Sequence, residues 1–166
     1  MSVNPPLIDR EERLIGSASG IVIASRPLIL TNYHVVKGAG SIRVYIPGDK
    51  KAKEGMALYS DEILDLAVIG IKEKCDFYTK SIGPEFVTPD SLKTGAEIYS
   101  LGYPLSDILG KEVKFSAGVV SAKSGLNDDA MRFQHSAPTQ PGSSGGPIFL
   151  KTGRLCGLVV SSINPL

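Results

Sequence analysis

Pro141-Gly142-Ser143-Ser144-Gly145-Gly146-Pro147 is the stretch of this sequence best suited to chemistry. Its glycines release the backbone from steric limits, so that amide N–H groups can converge on one point beside a serine hydroxyl. Such a turn can present Ser144 as a nucleophile and hold the oxyanion that forms when it attacks a carbonyl. Taken alone, the same residues also describe a Gly/Ser-rich hairpin loop, so the reading depends on what other residues the chain can bring to it.

The segment also fits Gly-x-Ser-x-Gly, the nucleophile elbow of α/β-hydrolases, in which the histidine follows the serine. Both histidines here, His34 and His135, precede Ser144, and Pro147-Ile148-Phe149-Leu150 reads as a strand rather than the helix that an elbow needs. The elbow reading is therefore eliminated. His34 closes the apolar run Leu30-Thr31-Asn32-Tyr33-His34-Val35-Val36, where a side chain can be held firmly and still face a cleft. A lone histidine in such a place is commonly structural, so it needs partners. Asp65 supplies one: Ile63-Leu64-Asp65-Leu66-Ala67-Val68-Ile69 sets one carboxylate inside an apolar run, and a buried carboxylate requires a hydrogen-bonding partner. Asp61 and Glu62 lie outside that run and read as solvated. The order His34, Asp65, Ser144 resembles that of chymotrypsin-like serine proteases, whose site lies between two barrels.

The elements that must position these residues are short strands. Gly and Pro, at 18 and 11 residues, punctuate β-branched runs, and no window keeps a helical period. Strands are expected at 18–25, 28–33, 41–46, 52–59 and 64–71, and again at 97–101, 113–121, 131–135, 147–150 and 155–160. The fold class expected is all-β, two six-stranded antiparallel barrels: the first at about 14–72, a linker at about 73–92, and the second at about 93–166. Only five strands are found from Glu97 onward, so the second barrel is expected to lack its last strand. This suggests a fragment of a longer polypeptide, or a gap filled by a neighbouring chain or by Ser2 to Asp9.

Composition narrows the partners. Lys and Arg number 18 against 17 Asp and Glu, with no concentrated basic patch, so nucleic acid is not an expected partner. No apolar run reaches the roughly 20 residues that a membrane span needs, and the N-terminus has no signal-peptide pattern. Cys75 and Cys156 lack metal-binding spacing and read as free thiols, which favours a reducing, intracellular compartment. Cys156 also lies in an apolar strand rather than a glycine-rich turn, which disfavours a cysteine hydrolase. No metal or organic cofactor is implied.

From Gly16 to Ile163 the chain resembles the HtrA (Deg) family of serine proteases. The likeness is carried by Gly20-Ile21-Val22-Ile23 through Leu30-Thr31-Asn32-Tyr33-His34-Val35-Val36, by Asp65-Leu66-Ala67-Val68-Ile69, by Leu101-Gly102-Tyr103-Pro104 with Ser116-Ala117-Gly118-Val119-Val120-Ser121-Ala122, and by Phe133-Gln134 through Pro147. The Gly-Ser-Ser-Gly-Gly-Pro form, with Gly157-Leu158-Val159-Val160-Ser161-Ser162, is similar to the family's peroxisomal processing branch. The resemblance implies a catalytic triad of His34, Asp65 and Ser144, with the N–H groups of Gly142 and Ser144 as oxyanion hole. By family position it also implies a primary specificity pocket of Pro138, Thr139 and Gln140 facing Val160, Ser161 and Ser162. No residue of that pocket is charged, which predicts small or medium apolar side chains at P1. Ser143 stands where the family usually has asparagine, and Ser136-Ala137-Pro138 replaces its Asp-Ala-Ala. The expected activity is endopeptidase hydrolysis of proteins or peptides, with homo-oligomerisation left open. The alternative is a protease-like scaffold that binds with low or no activity.

Overall fold

The computed structural model describes residues 2–3, 6–8, 14–23, 28–49, 51–73, 83–110 and 112–160. In chain order its elements are β1 (Ser2–Val3), β2 (Pro6–Ile8), β3 (Leu14–Ser17), β4 (Gly20–Val22), β5 (Leu28–Thr31), α1 (Tyr33–Val36), β6 (Ser41–Val44), β7 (Lys53–Asp61), β8 (Leu66–Ile71), β9 (Glu97–Gly102), α2 (Ser106–Leu109), β10 (Lys114–Ala122), β11 (Gln134–His135), β12 (Pro147–Leu150) and β13 (Leu155–Leu158). They form two antiparallel sheets, in the orders β1-β4-β5-β8-β7-β6-β2-β3 and β11-β10-β9-β12-β13.

Alternation along the strands makes two separate interiors. In the first sheet Ile29 on β5, Ile42 and Val44 on β6, and Ala67, Ile69 and Ile71 on β8 point inward with Val35 and Val36 of α1. In the second, Ile98, Val120, Ile148 and Leu150 pack with Ala137 and Val159. Two curled sheets with a core each make the all-β, double-barrel fold expected from the sequence. The division at about 14–72, 73–92 and 93–166 stands as a proposal consistent with those two cores.

Strand numbers differ from six and six. The first sheet counts eight because Ser2–Val3 pairs with β4 and Pro6–Ile8 pairs with both β3 and β6. The Pro-rich start of the chain gave no strand signal, yet Pro6 sits at the first position of β2, where a missing N–H is tolerated. Among the described residues the second sheet has the five strands counted from Glu97 onward. Its β13 edge is met by the end of the expected linker. Phe86 bridges Leu155 in parallel, Leu155 N–H donates to Glu85 O at 2.7 Å and Val87 N–H to Leu155 O at 3.0 Å. Among the described residues, Ser2–Val3 and Pro6–Ile8 pair in the first sheet instead.

Candidate active site

Two expected strand ends are turns instead, and these turns hold the titratable residues. β5 stops at Thr31, and Asn32 in extended conformation leads into α1, so His34 stands in a single helical turn with its side chain 46% exposed. Val35 and Val36 anchor that turn in the core. Likewise β8 begins at Leu66, not Leu64. Asp61 Oδ1 accepts N–H bonds from Ile63 and Leu64, both at 2.9 Å, and closes a turn that leaves Ile63 83% exposed. Asp61 thus has a structural task, and Glu62 is ion-paired with Lys37 at 2.8 Å. Asp65 ends the turn at φ +54°, in the left-handed region that Asp tolerates better than most residues.

Asp65 is buried, as expected, and its carboxylate has two points of contact with one residue. Oδ2 lies 2.7 Å from His34 Nδ1, and Oδ1 accepts the His34 backbone N–H at 2.8 Å. The buried Asn32 donates its side-chain N–H to Asp65 O at 3.1 Å. Together these contacts fix ring and carboxylate relative to each other, with Nδ1 of the imidazole engaged by the carboxylate.

The serine turn belongs to the second sheet but rests on the first. Gly145 has φ +79°, and a Cβ there would lie 2.1 Å from Ser19 O and 2.2 Å from Thr31 Oγ1, so only hydrogen fits against the strand that leads to His34. Gly142 has φ +92°, and a Cβ there would lie 2.9 Å from Tyr103 O. Pro141 O accepts Leu105 N–H at 2.9 Å, and Ser143 O accepts Gly146 N–H at 2.8 Å. In a trans peptide the N–H points opposite to its C=O, so the N–H groups of Gly142 and Ser144 are turned away from those contacts. Among the described residues neither has an acceptor. Ser144 Oγ donates to Val160 O at 3.4 Å, and among the described residues no hydrogen bond joins it to His34.

Of the expected pocket residues, Thr139 and Val160 line a cleft of about 1120 Å³ between the sheets, with Phe133, His135 and Leu158. Pro138 and Gln140 are exposed and do not line it, because Gln140 turns back to bond Ser143 through its N–H to Ser143 Oγ and its O to Ser143 N–H. Ser161 and Ser162 lie outside the described residues, as does Cys75. The cleft also carries charge that the sequence reading missed, the ion pair of Arg132 with Asp129. Burial pushes the Cys156 thiol up to about 11, which leaves it protonated and unreactive at neutral pH.

Sequence reasoning also missed Ser19. It is fully buried at the corner between β3 and β4, its hydroxyl donates to Gly142 O at 2.8 Å, and its N–H donates to Ser144 O at 2.8 Å. Its only sequence signal is its place in the small-residue run Gly16-Ser17-Ala18-Ser19-Gly20.

Comparison with known proteins identifies the family. Residues 18–158 match the family model described as trypsin-like peptidase domain. This chain belongs to that family. It is 31% identical over 157 residues to the serine protease Do-like HtrA of Bacillus subtilis, covering 89% of this chain and 34% of that protein. An uncharacterized protein of Sinorhizobium fredii is 31% identical over 165 residues, covering 99% of this chain and 25% of its own length. The crystal structure of the serine endoprotease from Yersinia pestis superposes with a TM-score of 0.76 at 25% identity, covering 98% of this chain and 54% of that one. The HtrA/Deg-type resemblance therefore holds across nearly the whole chain, which spans well under half the length of these two curated relatives. Among the described residues no helix is long and apolar enough to cross a membrane.

Proposed function

We propose that the chain is a serine endopeptidase acting on protein or peptide substrates through His34, Asp65 and Ser144. The observation that carries this reading is the double hold of Asp65 on His34, ring and backbone, in a chain whose serine turn packs against the same strand. His34 Nε2 takes the Ser144 proton as Oγ attacks the scissile carbonyl, then returns it to the leaving amine; water repeats the sequence on the acyl-enzyme. Asp65 holds the tautomer and stabilises the imidazolium. The N–H groups of Gly142 and Ser144, left over by the bonding of the turn, receive the oxyanion, each being worth about 3 to 4 kcal/mol in reactions of this kind.

Ser144→Ala and His34→Ala should each reduce peptide hydrolysis by at least about a thousandfold while leaving Tm near that of the unaltered protein. Cleavage within tenfold of wild type in either variant would sink the assignment. The contact of Ser144 with Val160 O is the one feature that favours a binding scaffold of low activity, and the same assay on the unaltered chain separates the two readings.

At P1 we infer small or medium apolar residues. Thr139, Val160 and Leu158 offer no charge, and the one charged pair in the cleft is neutralised internally. A peptide library that selects P1 Arg or Lys would overturn this.

A further inference from the structure

Ser19 is the residue through which the first sheet reaches the serine turn of the second. Its hydroxyl and its N–H both bond across to the second sheet, and its carbonyl is tied back to the first. Besides the bonds to Gly142 O and Ser144 O, Ser19 Oγ accepts Tyr103 N–H at 2.9 Å, and Ser19 O accepts the Thr31 hydroxyl at 2.8 Å. The packing leaves it no alternative position: Cβ atoms added at Gly102 or Gly145 would lie 3.0 Å from its Oγ and 2.1 Å from its O.

We infer that Ser19 is a positioning residue that sets the two peptide planes on either side of the Ser143–Ser144 peptide, and so the orientation of the attacking hydroxyl and of the oxyanion donors. Its hydroxyl fixes the carbonyl of the Gly142–Ser143 peptide, whose N–H end is held by Gln140 O at 2.9 Å. Its N–H fixes the carbonyl of the Ser144–Gly145 peptide, whose N–H end is held by Val159 O at 2.8 Å. With these planes held at both ends, the Ser143–Ser144 peptide between them has little freedom to rotate. The same hydroxyl holds Tyr103, whose segment supplies the Leu105 N–H that orients the Pro141–Gly142 peptide. Ser19 touches no reacting atom, and its effect on rate rests on the reading of Ser144 as nucleophile.

The test uses the full chain with Ser19→Ala, and Ser19→Cys as a variant that keeps the shape and a weak donor. Amide hydrogen exchange reads the clamp independently of catalysis. In Ser19→Ala the amides of Tyr103, Ser143, Gly145 and Gly146 should exchange at least about tenfold faster, while those of Ile29 and Ile69 in the core of the first sheet keep their rates. The kcat per active site, counted by covalent titration, should fall by at least about tenfold with KM within threefold and the pH profile unmoved, since misplacement rather than lost binding is the defect. Ser19→Cys should lie between. Unchanged exchange at the four amides overturns the inference whatever the kinetics. Faster exchange with kcat per site less than tenfold lower overturns it too. If the unaltered protein neither hydrolyses peptides nor titrates, faster exchange still identifies Ser19 as the clamp of this turn, and the peptidase reading is what fails.

Discussion

Asp65 pays at the backbone for what its carboxylate does: a left-handed conformation costs an L-residue roughly 1 to 2 kcal/mol, somewhat less for Asp, and the bonds to His34 and from Asn32 hold it there. His135, the second histidine, has a different environment. Burial pushes its pKa below the ordinary histidine value, more strongly than a backbone contact at Ala137 raises it, and its Nδ1 is buried without a partner among the described residues. The unfolded chain therefore takes up a proton at a higher pH than the folded one. The stability held by neutral His135 is present above about pH 6.5 and is lost as pH falls below it. Tm measured from pH 7.5 to 5 should decline less steeply in His135→Gln than in the unaltered protein; parallel curves would show that His135 carries no such linkage. At this scale the proposed site of His34, Asp65 and Ser144 was suggested by the chain order of the three residues, by the one carboxylate inside an apolar run and by the glycines around the serine. Ser19 was not, since one small polar residue among glycine, alanine and serine looks the same whether buried at a junction or exposed in a loop.

At the scale of elements, strand existence was readable from alternation, as in Ile42 and Val44 of β6. Strand ends were not. The expected strand began two residues early, at Leu64 rather than Leu66, but the Asp61 side chain takes the N–H groups of Ile63 and Leu64 and makes a turn there. That turn delivers Asp65 to His34. Asp61→Ala should cost about 1 kcal/mol, or about 2 to 4 °C in Tm, and lower kcat/KM several-fold, with Asp61→Asn restoring both because its Oδ1 still accepts the two N–H bonds. An Asp61→Ala protein with unchanged Tm and kcat/KM would remove the turn from the account. The long strand β7 shows the converse: Met56, Leu58 and Tyr59 are exposed despite their apolar character, and a register shift breaks the alternation between Ala57 and Tyr59.

For the whole molecule, two cores and two sheets meet at the serine turn, which is why a chain-order argument could identify the double barrel before any element was placed. Pairing partners far apart in sequence were beyond that argument: β2 with β6, or Phe86 with Leu155, depend on closure of the sheets and leave no local trace. The central claim is that this assembly activates one hydroxyl out of all those in the chain. Treatment of the full chain with a fluorophosphonate probe, followed by mass mapping of the adduct, tests it most directly, because an unactivated serine does not react. The account predicts stoichiometric labelling at Ser144 alone, abolished in His34→Ala. An unlabelled protein, or an adduct on another residue, would contradict it.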